Sequence, residues 1–483
     1  MLTAAVFFPM IAGALIPLFR FRRSSTRGVY TMAVASLTTL LVLFSIFQPD
    51  SPRETLFYLA DHLPIAFSLD SAGKVFACIV AVLWPLTTLY ALEYMNDDTR
   101  QDSFFSFFTM CFGITLGIAA ASDLLTLYIF YELLTLGTLP LVTHGGSSQS
   151  ISAGLKYLYY SIGGAAFAFI GLVFVIFYGG TSRFAYGGLM MLGAGAGQTS
   201  LQLGYLLCFL GFGVKAAVFP MHAWLPAASV APTPVTALLH AVAVVKAGVF
   251  AIIRITWYSF GPDLIRGTYA QHIPLILVIL TIVYGCSMAL KEQHIKRRLA
   301  YSTVSNLSYV LFGVLLLTPE GLHGGLQHLV FHALMKITLF LAAGIYLKRE
   351  KLYIQDLRGI HRTLPLTTGV FTIGAIAMTG IPPLIGFVSK FALASAAAQL
   401  GGMLPVAGIV ALLISAVLTA IYLITPSVTA YTVKPPAPAD QQKNDPDWKA
   451  GAVLALLGIV MIVISLWPSP LLDYLHRTAS GLI

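Results

Sequence analysis

Charged residues are scarce in this chain of 483 residues, and their scarcity limits what the chain can be. Asp, Glu, Lys and Arg make up 10% of the sequence, whereas 58% is apolar, and the mean hydropathy is +0.84. A soluble protein of this length needs far more charge on its surface, and repeated apolar runs of about 18 or more residues are typical of membrane-spanning helices. We therefore predict an all-α polytopic membrane protein that forms one membrane domain, residues 1–483.

Cysteine is also scarce, and no recognisable cofactor or catalytic motif accompanies it. Cys78, Cys111, Cys208 and Cys286 stand singly in apolar runs, without the spacing of a metal or iron–sulfur site. The sequence holds no nucleophile with its base and no phosphate-binding loop. We expect no metal, no cofactor and no redox chemistry of the chain's own. The pI near 9.3 comes from basic residues in short loops, so it does not indicate a nucleic-acid partner.

The apolar runs divide by length and flanking residues into about fourteen spans. We place them at residues 2–19, 28–47, 68–92, 103–121, 123–143, 154–178, 201–224, 233–256, 272–290, 301–317, 322–346, 366–391, 403–431 and 450–467. The first run lacks a basic leader and a cleavage site, so we expect it to be retained as a span. The Pro-rich, charged stretch at 432–450 is predicted to be a surface loop.

Lysine and arginine are distributed unequally between the connections. Eighteen of the 28, among them Lys296 and Arg298, fall in odd-numbered connections, and at most four fall in even-numbered ones. Because short cytoplasmic loops are enriched in Lys and Arg, the odd connections are predicted to face the cytoplasm. Both termini then lie on the outer side of a cell (inner) membrane. Lys74, Lys156 and Arg254 lie near span ends, where a long side chain is expected to snorkel to the interface.

Four lysines lie well inside apolar runs, where a charge costs roughly 2.5 to 3.5 kcal/mol by insertion experiments. They are Lys215, Lys246, Lys336 and Lys390, and the only carboxylate in mid-span is Glu132. Glu132 is too far from either end of its run to reach the interface, so it needs a basic partner. A chain with this many costly groups needs a reason for them, and we interpret them as a proton path.

Two spans are interrupted by glycine or proline, and each carries one of these lysines. Pro220 breaks the seventh span and Pro382 breaks the twelfth. Broken helices at membrane depth require a buried or water-lined backbone, and a matched pair indicates inverted repeats around a central ion site. We predict two inverted five-helix repeats, each containing one broken helix. The two halves would be residues 103–256 and 272–431.

Histidines accompany the lysines. His328, His332 and Lys336 follow one another at i, i+4 and i+8, which places them on one face of the eleventh span. This stripe is either a set of interhelical hydrogen bonds or a proton relay through His332. His222 and His240 flank the break after the seventh span. Each is either part of the path or a donor to carbonyls that the prolines leave free.

The same residues carry a family resemblance. The matching stretches are YELLTLGTLPLVTH, GFGVKAAVFPMHAWLPAA, APTPVTALLHAVAVVKAGVF, IKRRLAYSTVSNLSY, HLVFHALMKITLFLAAG and TGIPPLIGFVSKFAL, which together span 131–391. With them the chain resembles the antiporter-like proton-translocating subunits shared by respiratory complex I, membrane-bound hydrogenases and Mrp-type cation/proton antiporters.

The resemblance implies roles for individual residues. Glu132 would tune the pKa of Lys215, Lys246 would be the central relay, and His332 would lead to Lys390 as the terminal residue. Lys336 is included in the relay because it shares the face of His332. Supporting positions are His222, His240, His328, Pro220 and Pro382.

The resemblance also implies partners, and two departures narrow the branch. We expect other membrane subunits, the lipid bilayer and protons as partners, with Na⁺ in addition if the complex is an antiporter. Lysine at 390 disfavours the complex I branch whose terminal relay residue is glutamate, and the short tail disfavours the branch with an extra lateral helix. An Mrp-type subunit and a hydrogenase or complex I-like redox-driven pump remain, and any enzymatic classification would come from the complex. The alternatives are a stand-alone secondary transporter of a small solute and a structural membrane-arm subunit.

Overall fold

The computed structural model describes residues 1–19, 21, 23–48, 52–60, 63–188, 197–432 and 446–481. Most of these residues are helical. The one sheet among them is an antiparallel hairpin of β1 (Glu54–Ala60) and β2 (Leu63–Phe67). Most of the loop predicted at 432–450 lies outside the described residues.

The apolar runs form helices because a helix satisfies every backbone hydrogen bond within the segment. In chain order they are α1 Leu2–Phe19, α2 Ser24–Phe47, α3 Ser71–Tyr94, α4 Gln101–Ala120, α5 Leu124–Val142, α6 Ser148–Gly179, α7 Gln198–Lys215, α8 Trp224–Ala227, α9 Thr233–Ala241, α10 Val244–Arg254, α11 Pro262–Ile265, α12 Tyr269–Lys291, α13 Ile295–Leu315, α14 Pro319–Lys348, α15 Pro365–Thr379, α16 Ile385–Leu400, α17 Met403–Tyr431, α18 Trp448–Leu466 and α19 Ser469–Ala479. A π-helical turn, Ile255–Ser259, extends α10.

Within the described part of the chain, eleven helical segments are long and apolar enough to cross a membrane. They are α1 to α6, the segment Thr233–Ser259 that contains α9 and α10, and α12, α14, α17 and α18. The chain is therefore an all-helical, multi-pass membrane protein, as the composition predicts.

The spans differ in how much of their surface the protein itself covers. In the most apolar 18-residue stretches of Thr233–Ser259 and α14, 100% and 94% of the residues are buried. In the corresponding stretches of α2 and α6, only 33% are buried. The peripheral helices therefore leave wide apolar faces uncovered, while α9, α10 and α14 form the centre of the bundle. The histidines and lysines on the central helices cannot reach water by snorkelling.

Three helix breaks lie near the buried lysines. The helix α7 ends at Lys215, and residues 380–384 separate α15 from α16, so both breaks predicted from glycine and proline are present. A third break separates α9 from α10. There the carbonyl of Leu238 accepts hydrogen bonds from both Val242 and Ala243, at 2.9 and 2.8 Å, which widens the turn. The sequence did not predict this break because it contains neither proline nor glycine.

The expectation that Arg254 snorkels to the interface is wrong. Its side chain is 1% exposed, and its two Nη nitrogens donate to the carboxylate of Asp70, the N-cap residue of α3. The guanidinium carbon also lies 4.8 and 4.7 Å from the ring centroids of Phe250 and Tyr258. Arg254 is thus the basic half of an internal ion pair whose acidic half lies far away in the sequence.

The assignment of Lys296 and Arg298 to a connecting loop is also wrong. Both lie in the first turn of α13 and are buried. The Lys296 ammonium donates to the carbonyl of Ala231 at 2.6 Å, and Arg298 Nη1 donates to the carbonyl of Tyr422 at 2.9 Å. The Tyr422 carbonyl is free to accept because Pro426, four residues later, has no N–H. Lys296 therefore ties α13 to the connection before α9, and Arg298 ties α13 to α17, so neither is a free charge in a loop.

Candidate functional site

The first part of the site is an ion pair beside the break after α7. Lys215 is the last residue of α7 and is completely buried, and its Nζ lies 3.7 Å from Glu132 Oε1 on α5. The ammonium also donates to the carbonyl of Tyr131 and lies 3.3 Å from the centroid of that residue's ring. The prediction that Glu132 has a basic partner within direct reach is confirmed.

Lys246 occupies the centre of the bundle. It lies in the first turn of α10, directly after the break that separates α9 from α10, and it is completely buried. Its ammonium donates to the carbonyl of Leu329 on α14 at 2.8 Å. Among the residues that the structure describes, no carboxylate pairs with it. The contact on Leu329 sets Lys246 against the turn of α14 that carries His328 and His332.

The histidines of α14 and α9 are buried with few partners. The rings of His328 and His332 lie 5.9 Å apart, and His328 Nδ1 is 2.9 Å from the hydroxyl of Ser389 on α16. Within the described ranges, neither ring nitrogen of His332 or His240 has a hydrogen-bond partner, nor has His328 Nε2. Buried polar atoms are normally paired with protein or ordered water. Their pattern here is that expected of positions where water or a transferred proton is accommodated.

The remaining two lysines rest on backbone carbonyls. Lys336 on α14 is completely buried and donates to the carbonyl of Leu299 on α13 at 2.9 Å. Lys390 on α16 donates to the carbonyls of Met378 and Thr379, at 2.7 and 2.9 Å. Those carbonyls are the last of α15, where the helix break leaves them without intrahelical partners. The break in the twelfth span thus supplies the acceptors that hold Lys390.

His222 and the two prolines occupy the breaks themselves. Pro220 and His222 follow α7, and Pro382 lies between α15 and α16. The His222 ring packs against Phe219 and Tyr284, with centroids 5.7 and 4.6 Å apart. Its surroundings are those of a packed side chain beside the break, whereas His240 and His332 lie in the central helices.

Hydroxyl groups on α13 and α17 were missed from the sequence. Tyr422 donates to the Ser302 hydroxyl at 2.8 Å, and the hydroxyls of Ser305 and Ser415 are 3.1 Å apart. Further along α13, the Tyr309 ring lies 5.4 Å from the Lys390 ammonium. The stretch that holds Ser302 and Tyr309 carried the family resemblance, but serine in an apolar run gives no functional signal until its facing helix is known.

Comparisons with known proteins find relatives in sequence and in fold. The chain is 30% identical over 400 residues to NAD(P)H-quinone oxidoreductase chain 4 1 of a Picosynechococcus species, which covers 80% of this chain and 73% of the relative. Its fold matches a chain of respiratory complex I from Thermus thermophilus, with a TM-score of 0.84, 25% identity and coverage of 100% of this chain and 98% of the other. It also matches a chain of the Mrp complex from Dietzia sp. DQ12-45-1b, with a TM-score of 0.87, 22% identity and coverage of 100% and 97%.

A family model described as NADH:quinone oxidoreductase/Mrp antiporter, transmembrane, matches residues 121–419. The matched region begins just before α5 and ends within α17, so it contains Glu132, Lys215, Lys246 and Lys390 together with the helices that hold them. The match covers more than half of the chain. The chain therefore belongs to the NADH:quinone oxidoreductase/Mrp antiporter family.

Proposed function

We propose that the chain is the proton-translocating, antiporter-like subunit of a multi-subunit membrane complex. Protons pass along a line of buried and partly buried side chains through the middle of the bundle. The line comprises Glu132, Lys215, Lys246, His332, Lys336 and Lys390. The observation that carries the proposal is Lys246, a completely buried ammonium beside a helix break, with no carboxylate partner among the described residues.

The chemistry of the line suits proton transfer better than substrate binding. An ammonium donates a proton and an amine accepts one, while a neutral imidazole does both through its two nitrogens. Lys246 contacts α14 at Leu329, within one turn of His332, and His328 connects this turn to Ser389 on α16. The groups are spread over α5, α7, α10, α14 and α16 instead of converging on one pocket. This spread favours a path over the alternative of a stand-alone solute transporter.

We further propose fourteen spans arranged as two inverted repeats, residues 103–256 and 272–431. The eleven apolar segments leave α7, α13 and the pair α15–α16 at the remaining predicted positions. The helices α7 and α13 are long enough to span at 18 and 21 residues. The break after α7, next to Lys215, and the break between α15 and α16, before Lys390, support the two repeats.

The proposed orientation places both termini outside the cell membrane and the connection after α14 in the cytoplasm. A cysteine introduced at Gln355, in the short helical turn Ile354–Leu357, tests it. A membrane-impermeant thiol reagent should label this cysteine only from the cytoplasmic side. Labelling only from the outside would overturn the orientation.

Other membrane subunits of the same complex, the lipid bilayer and protons are the proposed partners. A redox-driven complex would supply energy from subunits with cofactors, whereas an Mrp-type complex would exchange protons for a cation such as Na⁺. Purifying the complex from its native membrane and identifying its subunits separates these subtypes. Quinone-reductase or hydrogenase subunits indicate the first, and further antiporter subunits indicate the second.

Lys246→Ala tests the proposed function. In vesicles that contain the native complex, we expect this variant to abolish proton transport, because no other side chain on α10 replaces the lost ammonium. Lys291→Ala, which removes an exposed lysine at the end of α12, is the matched control and should transport normally. Undiminished transport by Lys246→Ala in an assembled complex would contradict the proposed function.

A further inference from the structure

Two histidines outside the proposed relay lie together at the N-terminal end of α14. His323, in the first turns of α14, and His476, on α19, have ring centroids 5.1 Å apart. His323 is half-buried and His476 is exposed. Glu320 and Asp473 are the acidic groups close enough to influence the charge of His323. The two imidazoles thus lie side by side at the edge of the bundle, His323 on its inner side and His476 on its outer side.

Gln327 links this pair to the buried histidines. Its Nε2 is 2.7 Å from His323 Nε2, and because an amide nitrogen only donates, the His323 Nε2 accepts. Gln327 is 3% exposed, and its Oε1 has no hydrogen-bond partner within the part of the chain that the structure describes. The next residue along α14 is His328, whose Nε2 is equally unpartnered there.

The unpartnered atoms follow one helix from the relay to the surface. The nine residues from His332 to His323 correspond to about 14 Å along the axis of α14. Over this distance the buried side chains His332, His328 and Gln327 all leave polar atoms without protein partners among the described residues. Such atoms are normally satisfied by ordered water. His328 contacts Ser389, the residue before Lys390, so the end of the relay lies beside this row of atoms. A short file of water along His328 and Gln327 would connect the end of the relay to His323.

We propose that His323 and His476 form the outlet through which protons leave the relay at the outer membrane surface, with Gln327 as a positioning residue. This inference rests on the proposed function. Once the Gln327 amide turns away from His323 Nε2, that nitrogen takes a proton from the interior water file, and the proton on Nδ1 leaves towards His476, which releases it to the outer solution. Only N–H bonds form and break, and no other reactant is needed.

The test uses His476→Ala in the native complex, with proton transport measured in vesicles. Since His476 is exposed, its loss should not affect folding, and co-purification of the other subunits checks assembly. We expect transport to fall by about 100-fold, the lower end of what a positioned proton-transfer group contributes. Imidazole added on the outer side should restore part of the rate, which a structural role of His476 would not allow. His272→Ala, which removes an exposed histidine at the start of α12, is the matched control.

His323→Gln should have an effect similar to that of His476→Ala, and the double variant should be no slower than either single variant, because both lie on one path. Normal transport by both single variants would overturn the outlet. If Lys246→Ala stops transport while His476→Ala and His323→Gln do not, only the outlet is wrong. If Lys246→Ala transports normally, the proposed relay is wrong, and the proposed outlet is then wrong as well.

Discussion

Lys215 and Lys246 are both completely buried, yet they are held in different ways. Lys215 faces a carboxylate, Glu132 Oε1, at 3.7 Å, in addition to the carbonyl of Tyr131. Among the residues that the structure describes, Lys246 bonds the carbonyl of Leu329 and no carboxylate. Lys336 and Lys390 resemble Lys246 in this respect, since backbone carbonyls are their acceptors. A side-chain carboxylate can move away or become neutral, but a carbonyl within a packed helix is fixed. The comparison teaches that the Glu132–Lys215 end is suited to control and the other lysines to conduction.

Glu132 is also more accessible than the lysine with which it pairs. Its side chain is 26% exposed, while that of Lys215 is 0% exposed. A group at the edge of the bundle can respond to what packs against that edge, and a fully enclosed one cannot. This difference supports placing the control point of the path at Glu132.

Lys390→Ala should produce the largest effect and tests the conducting half of the comparison. Without its ammonium, no proton carrier remains at the carbonyls of Met378 and Thr379, next to Ser389, whose hydroxyl contacts His328. We expect proton transport in vesicles to be abolished. Lys351→Ala, an exposed lysine in the connection after α14, is the control. Substantial transport by Lys390→Ala would show that the path ends before the twelfth span.

Glu132→Gln should slow transport without abolishing it, and it tests the controlling half. The substitution removes the charge that favours the ammonium of Lys215 but leaves Lys215 able to ionise. We expect a lower rate in the same vesicle assay, with Glu350→Gln, an exposed carboxylate, unchanged. A complete loss equal to that of Lys390→Ala would erase the distinction between control and conduction.

Asp70→Asn should affect stability rather than transport. Arg254 is also buried and ion-paired, but its partner lies at the N-cap of α3, outside the relay, and its guanidinium does not release a proton. Removing one partner of such a pair costs about 3 kcal/mol, the lower end of the usual range because Asp70 is partly exposed. The melting temperature of the purified complex should fall while its transport rate is retained. Asp263→Asn, which breaks the exposed pair with Arg266, should change neither.

The lysines inside apolar runs, and the need of Glu132 for a basic partner, could be predicted because a charge inside a long apolar run is a signal in itself. That the partner is Lys215 was implied only by the family resemblance. The two helix breaks at Pro220 and Pro382 could also be predicted, because proline and glycine mark them locally. These signals lie in residues that are neighbours in the sequence, whereas the contact of Glu132 with Lys215 joins distant parts of the chain.

The features that could not be predicted depend on residues distant in the sequence or on backbone geometry alone. Arg254 looked like a snorkelling residue because Asp70 lies 184 positions away. Arg298 looked like a loop charge because its acceptor, the carbonyl of Tyr422, becomes available only through Pro426 on another helix. The break before Lys246 contains no proline or glycine, so no local sequence pattern predicted it, although it lies nearest to the centre of the path.

The most direct test of the account is proton transport by Lys246→Arg in vesicles containing the native complex. Arginine keeps a positive charge at the centre of the bundle, but with a pKa above about 12 it hardly releases a proton. The account predicts that Lys246→Arg is severely impaired, approaching Lys246→Ala, because the position must exchange a proton and not only hold a charge. Near-normal transport by Lys246→Arg in an assembled complex would contradict the relay at this position and reduce Lys246 to a structural charge.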